Sequence, residues 1–71
     1  MAVRLEWRGG MFEEYDTYDQ ARRAVLTLFP RATQQPWSTS EDGNYRYTSF
    51  WEPAPKKAGE PLARILIPLK D

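Results

Sequence analysis

The chain has 71 residues, a length at which folding buries only about 60% of the surface that the unfolded chain exposes. It contains no cysteine and no histidine, so we expect neither disulfides nor a zinc site of the usual kind. Ten basic and ten acidic residues give zero formal charge, which disfavours a nucleic-acid binder that relies on an overall positive field. These values predict one compact domain over residues 1–71, stabilised by aromatic and aliphatic burial.

The first residues carry the clearest strand pattern. Residues 3–7, VRLEW, alternate apolar and charged side chains, which predicts a strand with one buried face. Gly9 and Gly10 follow and favour a tight hairpin turn, because glycine accepts positive φ angles. Residues 11–15 form either a short return strand or an irregular segment, since their alternation is poor.

One segment has a helical pattern. Asp16 or Thr17 can be its N-cap, and Thr17 with Gln20 fits the S/T-x-x-E/Q capping box. The apolar stripe of this helix comprises Tyr18, Ala21, Val25, Leu28 and Phe29. Pro30 disfavours helical geometry at the preceding residue, so we expect the helix to end at one of the last two members of that stripe.

The rest of the chain predicts loops and strands. Residues 30–36 are expected to form a loop, and residues 37–51 predict two strands joined by a turn at the sequence Asp-Gly-Asn. Residues 52–61 are rich in proline and lysine and predict an exposed loop. Residues 62–70, LARILIPLK, predict a last strand that Pro68 weakens near its end.

These elements predict a small α+β fold in which one α-helix packs on an antiparallel sheet of three to five short strands, in the order β(β)αβββ or βαββ. Period-two alternation assigns one face of each main strand to the helix side. This predicted core face comprises Val3, Leu5, Trp7, Tyr45, Tyr47, Ser49, Trp51, Ala63, Ile65 and Ile67. A β-bulge near Ser49 would exchange Phe50 or Trp51 between the two faces.

The opposite face of the predicted sheet meets solvent or a partner. Its predicted members are Arg4, Glu6, Arg8, Arg46, Thr48, Phe50, Glu52, Leu62, Arg64 and Leu66. Arginine beside exposed apolar side chains is typical of protein interfaces, and a guanidinium also stacks on nucleic-acid bases. The alternative is a solvated face whose arginines pair with Glu6 and Glu52, where each exposed pair contributes about 0–1 kcal/mol.

The sequence contains no catalytic signature. Without histidine or cysteine, acid–base chemistry would fall to carboxylates, tyrosine or lysine, and no serine lies in a nucleophile motif. The acidic residues Glu13, Glu14, Asp16 and Asp19 lack the spacing of a calcium-binding loop, so we interpret them as solvated charge at the start of the helix. We therefore predict a protein that is not an enzyme and has no cofactor or metal ion.

The N-terminal sequence and the overall hydropathy bear on location. Charged side chains occur among the first eight residues, and no apolar run of signal-peptide length precedes them. No segment approaches the roughly 20 apolar residues of a membrane span. We therefore expect a cytoplasmic protein that has no membrane partner.

The primary hypothesis is a small adaptor or inhibitor, of the kind that phages and mobile elements encode, that binds a larger protein. The predicted contact residues are Arg4, Arg8, Arg46, Phe50, Arg64 and Leu66, with Lys56 and Lys57 from the exposed loop. The alternative is a nucleic-acid-binding module that uses the same face for stacking and phosphate contacts. A third hypothesis is a homodimer that buries this face symmetrically.

Overall fold

The computed structural model describes residues 2–53 and 59–69 and confirms the small α+β fold. In chain order its elements are β1 (Val3–Trp7), β2 (Phe12–Tyr15), α1 (Tyr18–Leu28), β3 (Thr33–Gln34), β4 (Ser38–Thr39), β5 (Tyr45–Trp51) and β6 (Ala63–Pro68). The strands form one sheet in the order β2–β1–β6–β5–β3, and β4 also pairs with β5. All strand pairs are antiparallel.

The first hairpin contains β2, the return strand for which the sequence allowed either a strand or an irregular segment. β2 pairs with β1 from Val3 opposite Tyr15 to Glu6 opposite Phe12. The turn between them contains Gly9 and Gly10, whose φ angles are 96° and 98°. These values lie in a region that side-chain-bearing residues rarely adopt, so the two glycines allow this turn.

The helix begins and ends where its caps predict. The Thr17 hydroxyl accepts a hydrogen bond from the Gln20 amide at 3.2 Å, and the Gln20 side chain accepts one from the Thr17 amide at 3.3 Å, which completes the capping box. Phe29 is the C-cap, and Pro30 follows it. The N-cap and the end of the helix are therefore confirmed.

The edge of the sheet beside β5 differs from the prediction. Residues 30–36 were expected to form a loop, but they contain β3, which pairs with the C-terminal end of β5, while β4 pairs with its N-terminal half. Pro36 lies between these two short strands and has no amide hydrogen to donate, so the edge is broken there. The predicted turn after β4 is confirmed, with Gly43 at a φ of 76°.

The core lies between α1 and one face of the sheet. Its buried apolar members are Val3, Leu5, Ala21, Val25, Phe50, Ala63 and Ile65. Ala21 and Val25 come from α1, and the other members come from β1, β5 and β6. The apolar assignments for β1 and β6 are therefore confirmed, whereas the assignment for β5 was wrong, since Phe50 was expected on the other face.

Thr48 is a buried polar residue in the middle of this core face. It has no exposed surface. Its hydroxyl donates a hydrogen bond to the Gln35 carbonyl oxygen at 2.6 Å and accepts one from the Gln34 side-chain amide at 3.2 Å. The Gln34 amide also donates to the Tyr18 hydroxyl at 2.7 Å, which links β3 to the first turn of α1. Burial of the Thr48 hydroxyl is therefore compensated by hydrogen bonds.

The centre of the predicted loop 52–61, including Lys56 and Lys57, lies outside the described residues. Over the part of the chain that is described, no helix has the length and apolar character needed to cross a bilayer.

Candidate functional site

Strand register divides the sheet into the face that α1 covers and an opposite face, which we call the open face. Directly paired residues share a face, so Arg4, Leu66 and Tyr47 form one row across three adjacent strands. By the same register, the open face comprises Arg4, Glu6, Phe12, Glu14, Thr33, Ser38, Tyr45, Tyr47, Ser49, Trp51, Arg64, Leu66 and Pro68. Arg8 follows β1 and lies at the end of this face.

The open face contains only part of the predicted binding set. Arg4, Arg64 and Leu66 lie on it, and Arg8 lies at its end. Phe50 was predicted there, but it packs in the core with 0% of its surface exposed. Arg46 was also predicted on the open face, but it lies on the other face, because it pairs with Ile67, which packs against the core. Its guanidinium carbon lies 4.8 Å from the centre of the Trp37 ring.

The error in β5 is an inversion of the whole strand. Pairing between β5 and β6 runs residue for residue from Tyr45 opposite Pro68 to Phe50 opposite Ala63, so no bulge separates its two halves. Counting aromatic side chains favoured burial of the two tyrosines and Trp51. Phe50, however, is the only aromatic residue of the strand without a polar atom, and tyrosine and tryptophan keep a polar end that seeks partners or water.

The open face is therefore more aromatic than the sequence analysis predicted. Tyr45, Tyr47 and Trp51 are half-buried on it, and Phe12 from β2 is 52% exposed. The residue types in β5 could have indicated which face is open, because Tyr and Trp suit a partly solvated surface better than Phe does. No comparable signal identified Phe12, since its strand has no regular alternation.

Two arginines of the open face lie over aromatic rings. The guanidinium carbon of Arg4 is 3.9 Å from the centre of the Phe12 ring. That of Arg64 is 5.2 Å from the centre of the Tyr47 ring. Such stacking holds a long, flexible side chain in one orientation and contributes about 0.5–1 kcal/mol at exposed sites. These contacts preorganise part of the open face.

Glutamates neutralise two of the arginines. The Nε atom of Arg4 lies 3.0 Å from a carboxylate oxygen of Glu6. Arg8 donates two hydrogen bonds to the Glu52 carboxylate, at 2.7 and 2.9 Å, and a third to the Glu60 carbonyl oxygen at 2.7 Å. The hydrogen bonds to Glu52 raise the pKa of Arg8. The glutamate partners considered in the sequence analysis thus do form ion pairs.

Arg64 differs from its neighbours. Among residues 2–53 and 59–69, no carboxylate oxygen lies within 4.0 Å of its guanidinium group. It lies in the central part of the sheet, between Glu6 of β1 and Ser49 of β5 in the register. Arg64 is therefore the cation of the open face that remains available for a group outside the described part of the chain.

Comparison with known proteins provides no further assignment. The sequence matches no protein-family model, and searches of the curated proteins and of the solved structures find no significant match. Within the described ranges, no group of three or more acidic, histidine or cysteine side chains is arranged to hold a metal ion. The side chains of the open face are therefore the candidate functional groups of the described chain.

Proposed function

We propose that the protein is a non-enzymatic interaction module that binds a larger protein through its open face. The observation that supports this proposal best is the central cluster of Tyr47, Arg64 and Leu66. Arg64, which has no ionic partner in the described chain, lies over the half-buried Tyr47 ring, and Tyr47 pairs with Leu66 of the neighbouring strand. Tyrosine and arginine are enriched among residues that dominate binding energies at protein interfaces.

The charge balance of the open face supports a protein partner. Arg4 and Arg8 already pair with Glu6 and Glu52, so Arg64 alone offers a cation without a described carboxylate partner. A phosphate backbone is bound by several unpaired cations at once. A protein surface needs a central apolar and aromatic area with few charges, and Leu66 and Tyr47 supply part of it.

An adaptor or an inhibitor is the form that this module would take. The proposed role is to cover a surface of the larger protein, which requires shape and contact area but no reaction at the open face. Encoding by a phage or mobile element stays part of the inhibitor hypothesis. A cytoplasmic location also stays a prediction.

Affinity capture with matched variants tests the proposal. Tagged wild-type protein, Leu66→Glu and Tyr47→Ala are used as baits in lysate of the source cells. Arg46→Glu is the control, because Arg46 lies on β5 beside Tyr47 but on the face that α1 covers. We expect a protein that co-purifies with the wild type and the control to be lost with both open-face variants. Circular dichroism checks that all four baits are folded.

The outcome of this capture decides the role of the open face. Equal recovery of the same proteins by Leu66→Glu and by wild type would contradict the proposal. Size-exclusion chromatography with light scattering on the purified protein addresses the homodimer hypothesis, since a dimer that Leu66→Glu dissociates would identify a second copy as the occupant of this face.

Nucleic-acid binding is the second candidate function. The exposure of Tyr45, Tyr47 and Trp51 on one face favours it, because base stacking on aromatic side chains contributes about 1–3 kcal/mol per base. Tryptophan fluorescence during titration with single-stranded oligonucleotides at low salt provides the measurement. Quenching that weakens steeply with added salt would support this candidate, and unchanged fluorescence would exclude it.

A further inference from the structure

A polar cavity lies at one end of the open face, beside the turn between β1 and β2. It has a volume of about 230 Å³ and is lined on one side by Gly9 and Gly10 and on the other by Glu60 and Pro61. Sites for drug-sized ligands have volumes of about 300–1,000 Å³, so this cavity is smaller than such a site. The cavity therefore has room for one side-chain-sized group.

Two arginines of the open face also line this cavity. Arg8 and Arg64 each have a buried Nε atom with no hydrogen-bond partner among the described residues. The terminal nitrogens of Arg8 donate three hydrogen bonds, to Glu52 and to the Glu60 carbonyl oxygen, which leaves its Nε–H group and one Nη1–H group without a hydrogen-bond partner among the described residues. A donor that a partner covers without supplying an acceptor costs about 1–3 kcal/mol, so an interface over this cavity favours a group that supplies acceptors.

The acidic residues near the cavity do not satisfy Arg64. Glu6 lines the cavity, but its carboxylate forms an ion pair with Arg4. Glu60 is exposed and lies beyond 4.0 Å of the Arg64 guanidinium, as do all other carboxylates in the described part of the chain. Within residues 2–53 and 59–69, the cavity thus lacks an acceptor for these donors, and a negatively charged acceptor suits Arg64, which has no carboxylate partner there.

We infer that this cavity receives a carboxylate group of the protein partner, held by the guanidinium groups of Arg8 and Arg64. A carboxylate has two oxygen atoms and several lone pairs, so one group satisfies two separate donors. Hydrogen bonds between a guanidinium and a carboxylate are among the stronger ones in proteins. The inference rests on the proposed function, because it specifies the chemistry of one contact between the open face and the partner.

Nuclear magnetic resonance with three short peptides tests the inference. All three peptides are N-acetylated. The first has a central glutamate and an amidated C-terminus, and the second is the same peptide with glutamine in place of glutamate. The third is triglycine with a free C-terminal carboxylate. The Arg8 and Arg64 Nε–H signals report binding. The internal control is the Arg22 Nε–H signal, because that group donates to the Gln34 side chain at 3.2 Å, away from the cavity.

The expected result is a saturable shift of both cavity signals with the carboxylate peptides and no shift with the glutamine peptide, at matched ionic strength. The glutamate peptide and the triglycine peptide distinguish a side-chain carboxylate from a C-terminal one. Arg64→Gln should abolish the saturable shift of the Arg8 signal, while Arg31→Gln, which removes an exposed arginine elsewhere, should leave it unchanged. If Arg64→Gln fails to fold, the comparison among peptides on the wild type still decides.

Equal shifts with the glutamine and glutamate peptides, or no shift with any peptide, would overturn the carboxylate site. Because the capture experiment uses Leu66→Glu and Tyr47→Ala, the two proposals fail separately. Selective capture without a peptide effect rejects only the cavity inference. A carboxylate-specific shift with unchanged capture rejects the proposed partner interface.

Discussion

The two faces of β5 solve different physical problems with neighbouring residues. Thr48 and Phe50 face α1 and have no exposed surface, while Tyr47 and Trp51 lie half-buried on the open face. On the covered face every polar atom needs a protein partner, and the Thr48 hydroxyl has two. On the open face, tyrosine and tryptophan combine an apolar ring with a polar end. Polar atoms, rather than ring size, therefore separate the two faces.

Truncating one ring on each face should separate the two faces most clearly. We expect Phe50→Ala to lower the free energy of unfolding by about 3–5 kcal/mol, because it leaves a cavity in the core. Tyr47→Ala should cost less than about 1 kcal/mol, which is the scale of a cross-strand contact on a sheet surface. Urea denaturation followed by circular dichroism measures both values.

An equal loss of stability from the two truncations would contradict the difference between the faces. A small domain has little stability in reserve, so a loss of this size can remove the folded baseline that the fit requires. Phe50→Leu then replaces it and should still destabilise the protein more than Tyr47→Leu. The ranking of the two sites is the quantity that the comparison predicts.

A smaller effect is expected from the hydroxyl of Thr48. Thr48→Val preserves the shape of the side chain but leaves the Gln35 carbonyl oxygen without its donor at 2.6 Å. We expect a loss of about 1–3 kcal/mol in the free energy of unfolding. Thr39→Val, in the neighbouring strand β4 and exposed, should change stability by no more than about 0.5 kcal/mol. A neutral Thr48→Val would contradict this prediction, because it would show that the hydrogen bonds of the hydroxyl only offset the cost of burying it.

The elements with local signals were the predictable part of the fold. The capping box of Thr17 and Gln20 and the proline after Phe29 determine the ends of α1 without reference to the rest of the chain. The faces of β1 and β6 were also predictable, because each strand concentrates its apolar side chains on one parity. These signals act over a few residues, so they can be recognised in one sequence.

The parts that were missed depend on tertiary pairing. β3 has only two residues, and its strand conformation comes from pairing with the end of β5, which no local pattern reports. In β5, large side chains occupy both parities, so alternation alone does not identify the buried face. The result was that Phe50 and Arg46 were assigned to the candidate site, while Tyr47 and Trp51 were left out of it.

The smallest expected effect concerns the turn that aligns β5 with β4. The Ser40 hydroxyl and the Asn44 amide donate hydrogen bonds to the Asp42 carboxylate at 2.6 and 2.9 Å, and these bonds lower its pKa. Turn geometry determines strand register, and a shift by one residue would exchange the two faces of β5. The charged form of Asp42 therefore supports the register on which the open face depends.

This support has a defined dependence on pH. Because folding lowers the pKa of Asp42 from its ordinary value of 3.8, its contribution to stability is complete above that value and is lost as the pH falls through the lower, folded-state pKa. Melting temperatures of wild type and Asp42→Asn, measured from neutral pH to below 3.8, should converge in acid. Parallel curves over the whole range would show that the charge of Asp42 contributes nothing. The side chain is exposed, so we expect a smaller difference than that caused by Thr48→Val.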